Sequence, residues 1–496
     1  MAIYLRPGVF VEETLNPIAP AVGPNSQTVA AFIGATDRGP VVPTLVNSWS
    51  EYTSLYGTWN TVASNDLPIA VLLFFSNGGS QAYVQRVVGN STKAERTFLD
   101  ANDLDTLKVV AKNPGLWGNS IYVSVFNSNA QNTFDITVNY LSTGANSVVE
   151  RFNDVSMESD DARYVVSIIN SQSKYIDAID MNSASTLQDK RPVNQTLQAL
   201  AGVSTNGTVT ETTISGAISA YDVVLNSLVL NAPGVTDTTA VNQIISYAAT
   251  REDIFVVIDP QVGVSVSSAV AKALTYTASS YAAMYYPRVV MKDPTVTTPN
   301  VTLTVAPGGA IVGKYISTDS ARGVFKAPAG LSTRLAGAVS VQSLTNAELD
   351  TLNSSNPPVN AIRFISGSGI VIMGSRTLLS SYADRYIPVR RTLIYLRKAL
   401  TDLTQFAIFE PNDQRLWRQL TSVSSSFLTE FWQQGGLRGD TPEQAYFVKC
   451  DDETNTLASV DNGEVRLEIG VALQRPAEFV IIKIGQFDGG TTVTVE

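Results

Sequence analysis

The sequence has no histidine and only one cysteine among its 496 residues, which limits how the fold can be held together. A disulfide within the chain needs two cysteines, and structural zinc sites are built mainly from Cys and His side chains. Apolar residues make up 44% of the chain, so a large hydrophobic core is available instead. We therefore expect a fold held by packing alone, suited to a reducing compartment.

The same composition restricts the chemistry. Ser-His-Asp and Cys-His arrangements need histidine, which is also the commonest general acid–base residue. Carboxylate, lysine or tyrosine chemistry stays open. We predict that the chain is not an enzyme and uses no cofactor and no metal. The alternative is an enzyme that uses carboxylates or Lys314.

Charged residues are scarce, at 16% against the usual share of about 25%. A surface with few charges fits a protein that is covered by an assembly, but also an ordinary neutral soluble protein. The net charge of −10 argues against direct nucleic-acid binding, which needs clustered positive charge. Residues 1–10 lack the pattern of an export signal, and the apolar run 67–75 is shorter than the ~20 residues of a membrane helix, so we expect no stable membrane insertion.

The chain divides into three successive regions with different patterns of apolar and polar residues. Residues 28–33 read as a buried strand, and Ser48 to Glu51 fits a capping box at the start of a helix. Residues 97–235 are rich in Asn, Ser, Thr and Gly between alternating strands, which predicts an inserted β-rich module. From about residue 240 the pattern is α/β.

The α/β part begins with the continuously apolar segment 254–258, typical of a strand that is covered on both faces. An apolar helical stripe then runs from Val266 to Tyr281, and 288–291 reads as the next strand, which predicts a βαβ unit. Two later amphipathic helices follow. The second is predicted to begin after Pro411 and to carry its stripe from Leu416 to Trp432.

The segment Gly308 to Lys314 has the spacing of a phosphate-binding loop, G-x-x-x-x-G-K. Tyr315 follows where Ser or Thr is needed to hold magnesium, and the segment lacks a clear strand-to-helix context. We interpret it as a glycine-rich turn that leads into a buried segment. The carboxylates at 451–453 lack the glycine and the late glutamate of a calcium loop, so a solvated acidic loop is favoured.

Both chain ends contain β-prone apolar residues, although chain ends are normally polar and frayed. Such a strand can pair within its own domain or add to a neighbour's sheet, and both alternatives stay open. The proline-marked arm before the first core strand favours exchange between subunits. The predicted exchange residues are Val9, Phe10, Val11, Phe479, Ile481 and Ile484.

A basic face on the first late helix has two readings, a solvated helix face or an ion-pair seam between subunits. Its members are Arg390, Arg391, Arg397 and Lys398.

Taken in order, many short motifs resemble those of the contractile tail sheath family of bacteriophages and phage-like particles. The motifs in the N-terminal part are Arg6–Glu13, Thr28–Gly34, Arg38–Pro40, Phe74–Gly79, Tyr83–Arg86 and Asn113–Asn119. Those in the C-terminal half are Tyr285–Arg288, Asp319–Gly330, Asn360–Arg363, Gly374–Thr377, Val389–Arg391, Phe409–Asn412, Trp417 and Arg475–Phe479. Each motif is short, and their common order along the chain makes the resemblance specific.

The resemblance implies a structural subunit that polymerises with itself as helical, six-fold stacked rings around an inner tail tube protein. Contraction would rearrange the contacts between subunits and drive the tube through a cell envelope. Baseplate and tail terminator proteins are further implied partners, and the virion tail, assembled in the cytoplasm of the bacterial host, is the implied location. Gln433, Gln434 and Arg438 are the expected tube contacts.

The predicted fold class is mixed α/β, with a discontinuous core domain, an inserted β-rich protrusion and extended terminal arms. The expected divisions are an arm at 1–25, core at 26–96, the insert at 97–235, the main core at 236–478 and a linker strand at 479–496. An exported surface adhesin or coat protein is the alternative function, since the β-rich insert would suit it.

Overall fold

A computed structural model describes residues 28–60, 64–128, 132–140, 147–296, 298, 300–380 and 384–478. Within these ranges the chain forms twenty strands and twelve helices. The strands are β1 Thr28–Ala35, β2 Thr44–Val46, β3 Ala82–Val87, β4 Glu95–Leu99, β5 Asp105–Ala111, β6 Ile121–Asn127, β7 Thr133–Tyr140, β8 Ser147–Ser156, β9 Ile176–Asp180, β10 Gln195–Ala199, β11 Ser227–Asn231, β12 Ile254–Ile258, β13 Ala282–Tyr286, β14 Val289–Lys292, β15 Thr302–Val305, β16 Ala338–Val341, β17 Asn360–Ile365, β18 Gly369–Met373, β19 Tyr446–Lys449 and β20 Glu468–Val471.

The helices are α1 Trp49–Tyr56, α2 Asp66–Ser76, α3 Val165–Gln172, α4 Glu211–Gly216, α5 Thr238–Arg251, α6 Val266–Ala273, α7 Gly308–Arg322, α8 Asn346–Ser354, α9 Ile387–Thr404, α10 Gln414–Gln433, α11 Pro442–Ala445 and α12 Leu457–Asp461. Short 3-10 turns occupy Leu116–Ser120, Ile218–Val223 and Gln405–Ala407. No helix in the described ranges combines the length and the apolar character that crossing a bilayer requires.

An eight-stranded sheet in the order β18-β17-β13-β12-β11-β1-β3-β2 organises the core. Its six central strands run parallel, and the two edge strands β2 and β18 run antiparallel to their neighbours. Strand β1, from the first 90 residues, therefore lies next to β11, and the same sheet continues into β12, β13, β17 and β18 of the C-terminal half. All five residues of β12 are buried, as the continuous apolar run predicts.

Helices cover both faces of this sheet. One apolar layer packs α2, α7 and α9 against the sheet, and the other packs α5, α6 and α8 against the opposite face. Apolar side chains at alternating positions of each strand point into the two layers, so the parallel strands are buried on both sides. The predicted mixed α/β class is confirmed.

Residues 95–199 form two further antiparallel sheets, β4-β5-β9 and β10-β6-β7-β8, around an apolar cluster of their own. The sequence boundary of the insert at residue 235 is wrong on its C-terminal side. Strand β11 pairs in parallel with β1 and β12 at the centre of the main sheet. The sequence analysis missed β11 because this buried strand has only five residues and directly follows a polar stretch.

The strand that follows helix α6 also differs from the prediction. The helix ends at Ala273, and β13 is the parallel neighbour of β12. The predicted strand near 288–291 is β14, which lies in a separate antiparallel sheet of order β15-β14-β16. Tyr281 appeared to continue the helical stripe because it lies at helical spacing, yet it introduces the buried strand β13.

The C-terminal part packs α9 against α10 and places the small sheet β19-β20 on α10. Helix α10 begins at its cap Asp413, whose carboxylate accepts from the backbone N–H groups of Arg415 and Leu416. The apolar stripe of α10, including Leu420, Phe427 and Phe431, is buried, and its C-terminal part packs against α9 and the small sheet. This arrangement positions the candidate assembly surfaces.

Candidate assembly surfaces

The sheet β19-β20 has two antiparallel strands, and no third strand pairs with it among the described residues. Two-stranded sheets are only marginally stable alone, and unpaired strand edges accept further strands. In the part of the chain that the structure describes, β19 and β20 therefore have no further partner strand, and a single bridge joins Leu437 to Leu473 just beyond β20. The predicted exchange residues Val9, Phe10, Val11, Phe479, Ile481 and Ile484 lie outside the described residues.

The sheet is held firmly on helix α10 by its inner face. Tyr446 and Val448 pack with Val471 against the apolar side of the helix. The hydroxyl groups of Tyr446 and Thr429 are hydrogen-bonded at 2.6 Å. On the outer face Phe447 is 57% exposed and its ring covers Gly470 of the opposite strand. The packing of the inner face on α10 holds the two strands in place, so a strand added at either edge would pair with an ordered strand.

The expected tube-contact residues lie at the C-terminal end of α10. Gln433 is the last residue of the helix, Gln434 follows as its cap, and both are exposed. Arg438 is also exposed, and its backbone N–H donates to the carbonyl of Ala472 at 2.7 Å. The three side chains therefore share one solvent-facing end of the helix, and what they contact stays a prediction.

The basic residues of α9 do not form one face. Arg390 lies 3.1 Å from Asp384 and stacks on the ring of Tyr281 at 4.7 Å. Arg397 pairs with Glu252 at the surface, and Lys398 is half-buried. Exposed pairs of this kind contribute little to stability, about 0–1 kcal/mol. Of this group, Arg397 and Lys398 keep enough exposure to meet a neighbouring subunit.

The seam prediction is wrong for Arg391, whose side chain is only 2% exposed. Its guanidinium binds both carboxylate oxygens of Asp319 on α7, one of them at 2.9 Å, and lies over the ring of Tyr315 at 4.8 Å. Burial raises the pKa of the Asp319 carboxyl, and Arg391 opposes that shift. A buried charge needs such a partner, so this arginine joins α9 to α7 inside the chain.

The glycine-rich segment is the start of helix α7 and not a turn. It does follow a strand, β15, but the backbone N–H of Gly308 donates to the buried carboxylate of Asp259 at 2.7 Å. An added Cβ at Gly309 would lie 2.1 Å from the carbonyl oxygen of Ala70, and one at Gly313 would lie 2.6 Å from that of Phe74. The glycines therefore let α7 pack closely on α2, and the helix N-terminus already holds a carboxylate where a phosphate would bind.

Arg86 is a structural residue that the sequence analysis missed. Its buried guanidinium donates to four backbone carbonyls, those of Thr36 at 2.8 Å, Asp37 at 2.9 Å, Gly39 at 3.3 Å and Pro114 at 2.6 Å. Burial lowers the pKa of Arg86 to about 10, against the raising effect of Asp37. The arginine thus joins β3 of the main sheet to Pro114, between β5 and β6, and the motif Tyr83–Arg86 does not by itself indicate that role.

Metal-binding clusters of three or more acidic, histidine or cysteine side chains are not found among the described residues. The carboxylate of Asp451 instead accepts from the backbone N–H groups of Glu453 and Thr454, which closes a local turn. The acidic run at 451–453 is therefore used for local structure.

Comparison with known proteins gives matches to tail sheath proteins. The family model for the phage tail sheath C-terminal domain matches residues 382–487, which contain α9, α10 and the β19-β20 sheet. A segment of 178 residues, 35% of the chain, is 27% identical to the tail sheath protein of Vibrio phage KVP40. That match spans a quarter, 25%, of the length of the phage protein.

Solved structures resemble the chain over nearly its whole length. The sheath of an extracellular contractile injection system, PVC, in its contracted state matches with a TM-score of 0.59 and 22% identity, over 98% of this chain and 99% of the other. The contracted helical sheath of the anti-feeding prophage matches with a TM-score of 0.60 and 23% identity, over 98% and 100%. A sheath tail protein of Listeria innocua matches with a TM-score of 0.61 and 14% identity, over 90% and 94%. The chain has the fold of contractile sheath proteins.

Proposed function

We propose that this chain, a member of the contractile tail sheath family, is a structural subunit that polymerises as stacked helical rings around an inner tube. Contraction of this polymer drives the tube through a cell envelope. The observation that carries the proposal is the open-edged β19-β20 sheet, on a fold shared with contractile sheath proteins. Strand addition links subunits through main-chain hydrogen bonds, so a polymer can keep its connections while other contacts rearrange.

The terminal arms are the strands that this sheet accepts. The N-terminal arm, residues 1–25, and the linker strand, residues 479–496, each carry a short β-prone apolar run. Two donated strands would turn the two-stranded sheet into one of four strands. A contact from the arm of one copy to the sheet of the next joins different surfaces, so growth stays open and helical.

The partners follow from this assembly. The exposed end of α10, with Gln433, Gln434 and Arg438, faces the inner tube. A baseplate and a tail terminator close the two ends of the polymer, which is assembled in the host cytoplasm and forms part of a phage tail or a phage-like particle. Six-fold rings, a non-enzymatic role and no direct nucleic-acid contact belong to the same proposal.

Terminal truncation tests the strand exchange. Deleting residues 1–15 should leave a folded, monodisperse chain that forms no tubes, because the core sheet starts at Thr28. Circular dichroism and size-exclusion chromatography check the folding, and electron microscopy checks for tubes. Tubes formed by the truncated chain at the normal yield would contradict arm exchange.

The tube contact has a separate test. Arg438→Glu should weaken co-assembly with the inner tube. Arg418→Glu is the matched control, because Arg418 is also exposed but lies toward the other end of α10. If the Arg438→Glu sheath still co-sediments with the tube as the wild type does, Arg438 is not part of the contact.

A further inference from the structure

The loop between α9 and α10 holds an aromatic side chain entirely in solvent. Phe409 is 102% exposed and its neighbour Ile408 is 64% exposed. Phe409 also has a φ of +68°, a conformation that bulky residues rarely adopt. Exposing a phenyl ring and holding this backbone are both unfavourable, which points to a contact that the isolated chain does not make.

An open groove lies elsewhere on the same chain, beside strands β17 and β18. This β17–β18 groove has a volume of about 710 Å³. Its apolar lining includes Phe325, Ala327, Ala329, Leu349, Leu352 and Met373. Met373 is 41% exposed, so the apolar lining is reachable from solvent. A groove of this size and character accepts an aromatic side chain.

The charges of the loop and the groove are complementary. Lys326 and Arg363 line the groove, and neither has a carboxylate within salt-bridge distance among the described residues. Burial lowers the pKa of Lys326, and Arg322 lowers it further, so an arriving anion would stabilise its charged form. Glu410, exposed beside Phe409, supplies such an anion.

Two carboxylates also belong to the groove. Glu478 is bound to Arg376 at 2.5 Å, and Asp350 is exposed at the rim. Glu478 is therefore already neutralised by its own arginine, which leaves Lys326 and Arg363 for an incoming carboxylate.

The Phe409 loop cannot reach the groove of its own chain. Phe409 precedes the N-terminal end of α10, and Asn412 is held there by a 2.8 Å hydrogen bond from the indole of Trp417. Gly435, which lines the groove, follows the C-terminal end of the same helix. A helix of 20 residues is about 30 Å long, so loop and groove lie at opposite ends of it.

We propose that Phe409 of one copy inserts into the β17–β18 groove of the next copy, with Glu410 facing Lys326 and Arg363. This inference rests on the proposed function, since it assigns one of the contacts of the polymer. The occupant is a second copy because an exposed ring and a carboxylate on one surface match an apolar groove with two basic side chains on another surface of the same chain. Such a contact joins two different surfaces and does not close on itself, as helical growth requires.

Disulfide trapping tests the contact in assembled tubes. In a Cys450→Ser background, Phe409→Cys chains are mixed with Met373→Cys chains and oxidised after assembly. We expect a product of twice the chain mass in the mixture and none in either variant alone. Val223→Cys mixed with Met373→Cys is the matched control, because Val223 is also strongly exposed, at 77%, but lies outside the loop.

A charge exchange gives an independent readout. Glu410→Lys should slow tube assembly about tenfold, and adding Lys326→Glu should restore most of the rate. Wild-type chains that form no tubes, alone or on their inner tube, would contradict the proposed function itself. Tubes that form normally with Glu410→Lys, or that give no disulfide between positions 409 and 373, would overturn only this contact. A benzoylphenylalanine at position 409 that cross-links to the inner tube or to residues 479–496 would overturn it too.

Discussion

Asp319 on α7 and Arg391 on α9 form an ion pair inside the protein, with Arg391 Nη1 2.9 Å from Asp319 Oδ1. The pair ties a helix of the core layer to the C-terminal part that carries the open-edged sheet. The ring of Tyr315 lies against the guanidinium, and the Tyr315 hydroxyl is hydrogen-bonded to that of Tyr285 on β13. Any movement of the C-terminal part relative to the core must therefore carry α7 with it or break this network.

Removing one partner of this pair should be costly. Asp319→Asn leaves a buried guanidinium without its counter-charge, and we expect a loss of about 3–5 kcal/mol in the free energy of unfolding, measured by urea titration. The double variant Asp319→Leu with Arg391→Met should recover most of that loss, because no charge stays buried. Glu252→Gln, which breaks the exposed pair with Arg397, is the control and should cost less than about 1 kcal/mol. A similar small effect for Asp319→Asn would contradict this role of the pair.

Arg86 should be irreplaceable by lysine. A lysine keeps the charge but offers a single ammonium group where four carbonyls are now bound by a planar guanidinium. We expect Arg86→Lys to lower the free energy of unfolding by about 3 kcal/mol. Limited proteolysis should cut first near residues 88–95, where the 95–199 sheets join the core. Arg151→Lys, at an exposed position on β8, should leave both measurements unchanged. Equal behaviour of the two variants would refute the role given to Arg86.

The stability of the β4-β5-β9 sheet should fall at low pH, when the Asp100 carboxylate becomes protonated. Burial raises the pKa of this carboxyl, but hydrogen bonds from Ser183 and Ser185 and from the backbone N–H groups of Leu104 and Asn102 outweigh burial and lower the pKa to about 2. A carboxyl with a lowered pKa stabilises the fold above its ordinary pKa of about 3.9, and that contribution is lost as the pH falls toward 2.

Asp100→Asn should therefore lower the melting temperature at pH 7 and flatten its decline between about pH 4 and pH 2. Thermal melts followed by circular dichroism measure both effects. Asp105→Asn, at an exposed position on β5, is the control. An unchanged pH profile in Asp100→Asn would show that other groups set the acid response.

Local patterns predicted several elements because one physical rule dominates each of them. Strand β12 is continuously apolar and buried on both faces. Helix α1 is capped by Ser48, whose hydroxyl accepts from the backbone N–H of Glu51, while the Glu51 carboxylate accepts from the N–H of Asn47 instead of closing a full capping box. Helix α10 begins after Pro411, as predicted, with Asp413 as its cap.

Other features depend on contacts that a local pattern does not contain. Glycine disfavours helices, yet α7 starts with two glycines, because a Cβ at Gly308 would meet Asn231 of β11 and one at Gly309 would meet the carbonyl of Ala70 on α2. The sequence analysis placed Arg391 at the surface, because its buried partner Asp319 is 72 residues away in sequence and no local pattern links the two. The β17–β18 groove is built from segments spread between Phe325 and Glu478, so no single stretch predicts it.

Negative-stain electron microscopy of the purified chain, alone and with its inner tube, tests the central proposal most directly. A sheath subunit should give hollow tubes with regular helical striations, since its contacts join different surfaces and do not close. Small closed oligomers in both samples, with no tubes in either, would contradict a sheath function.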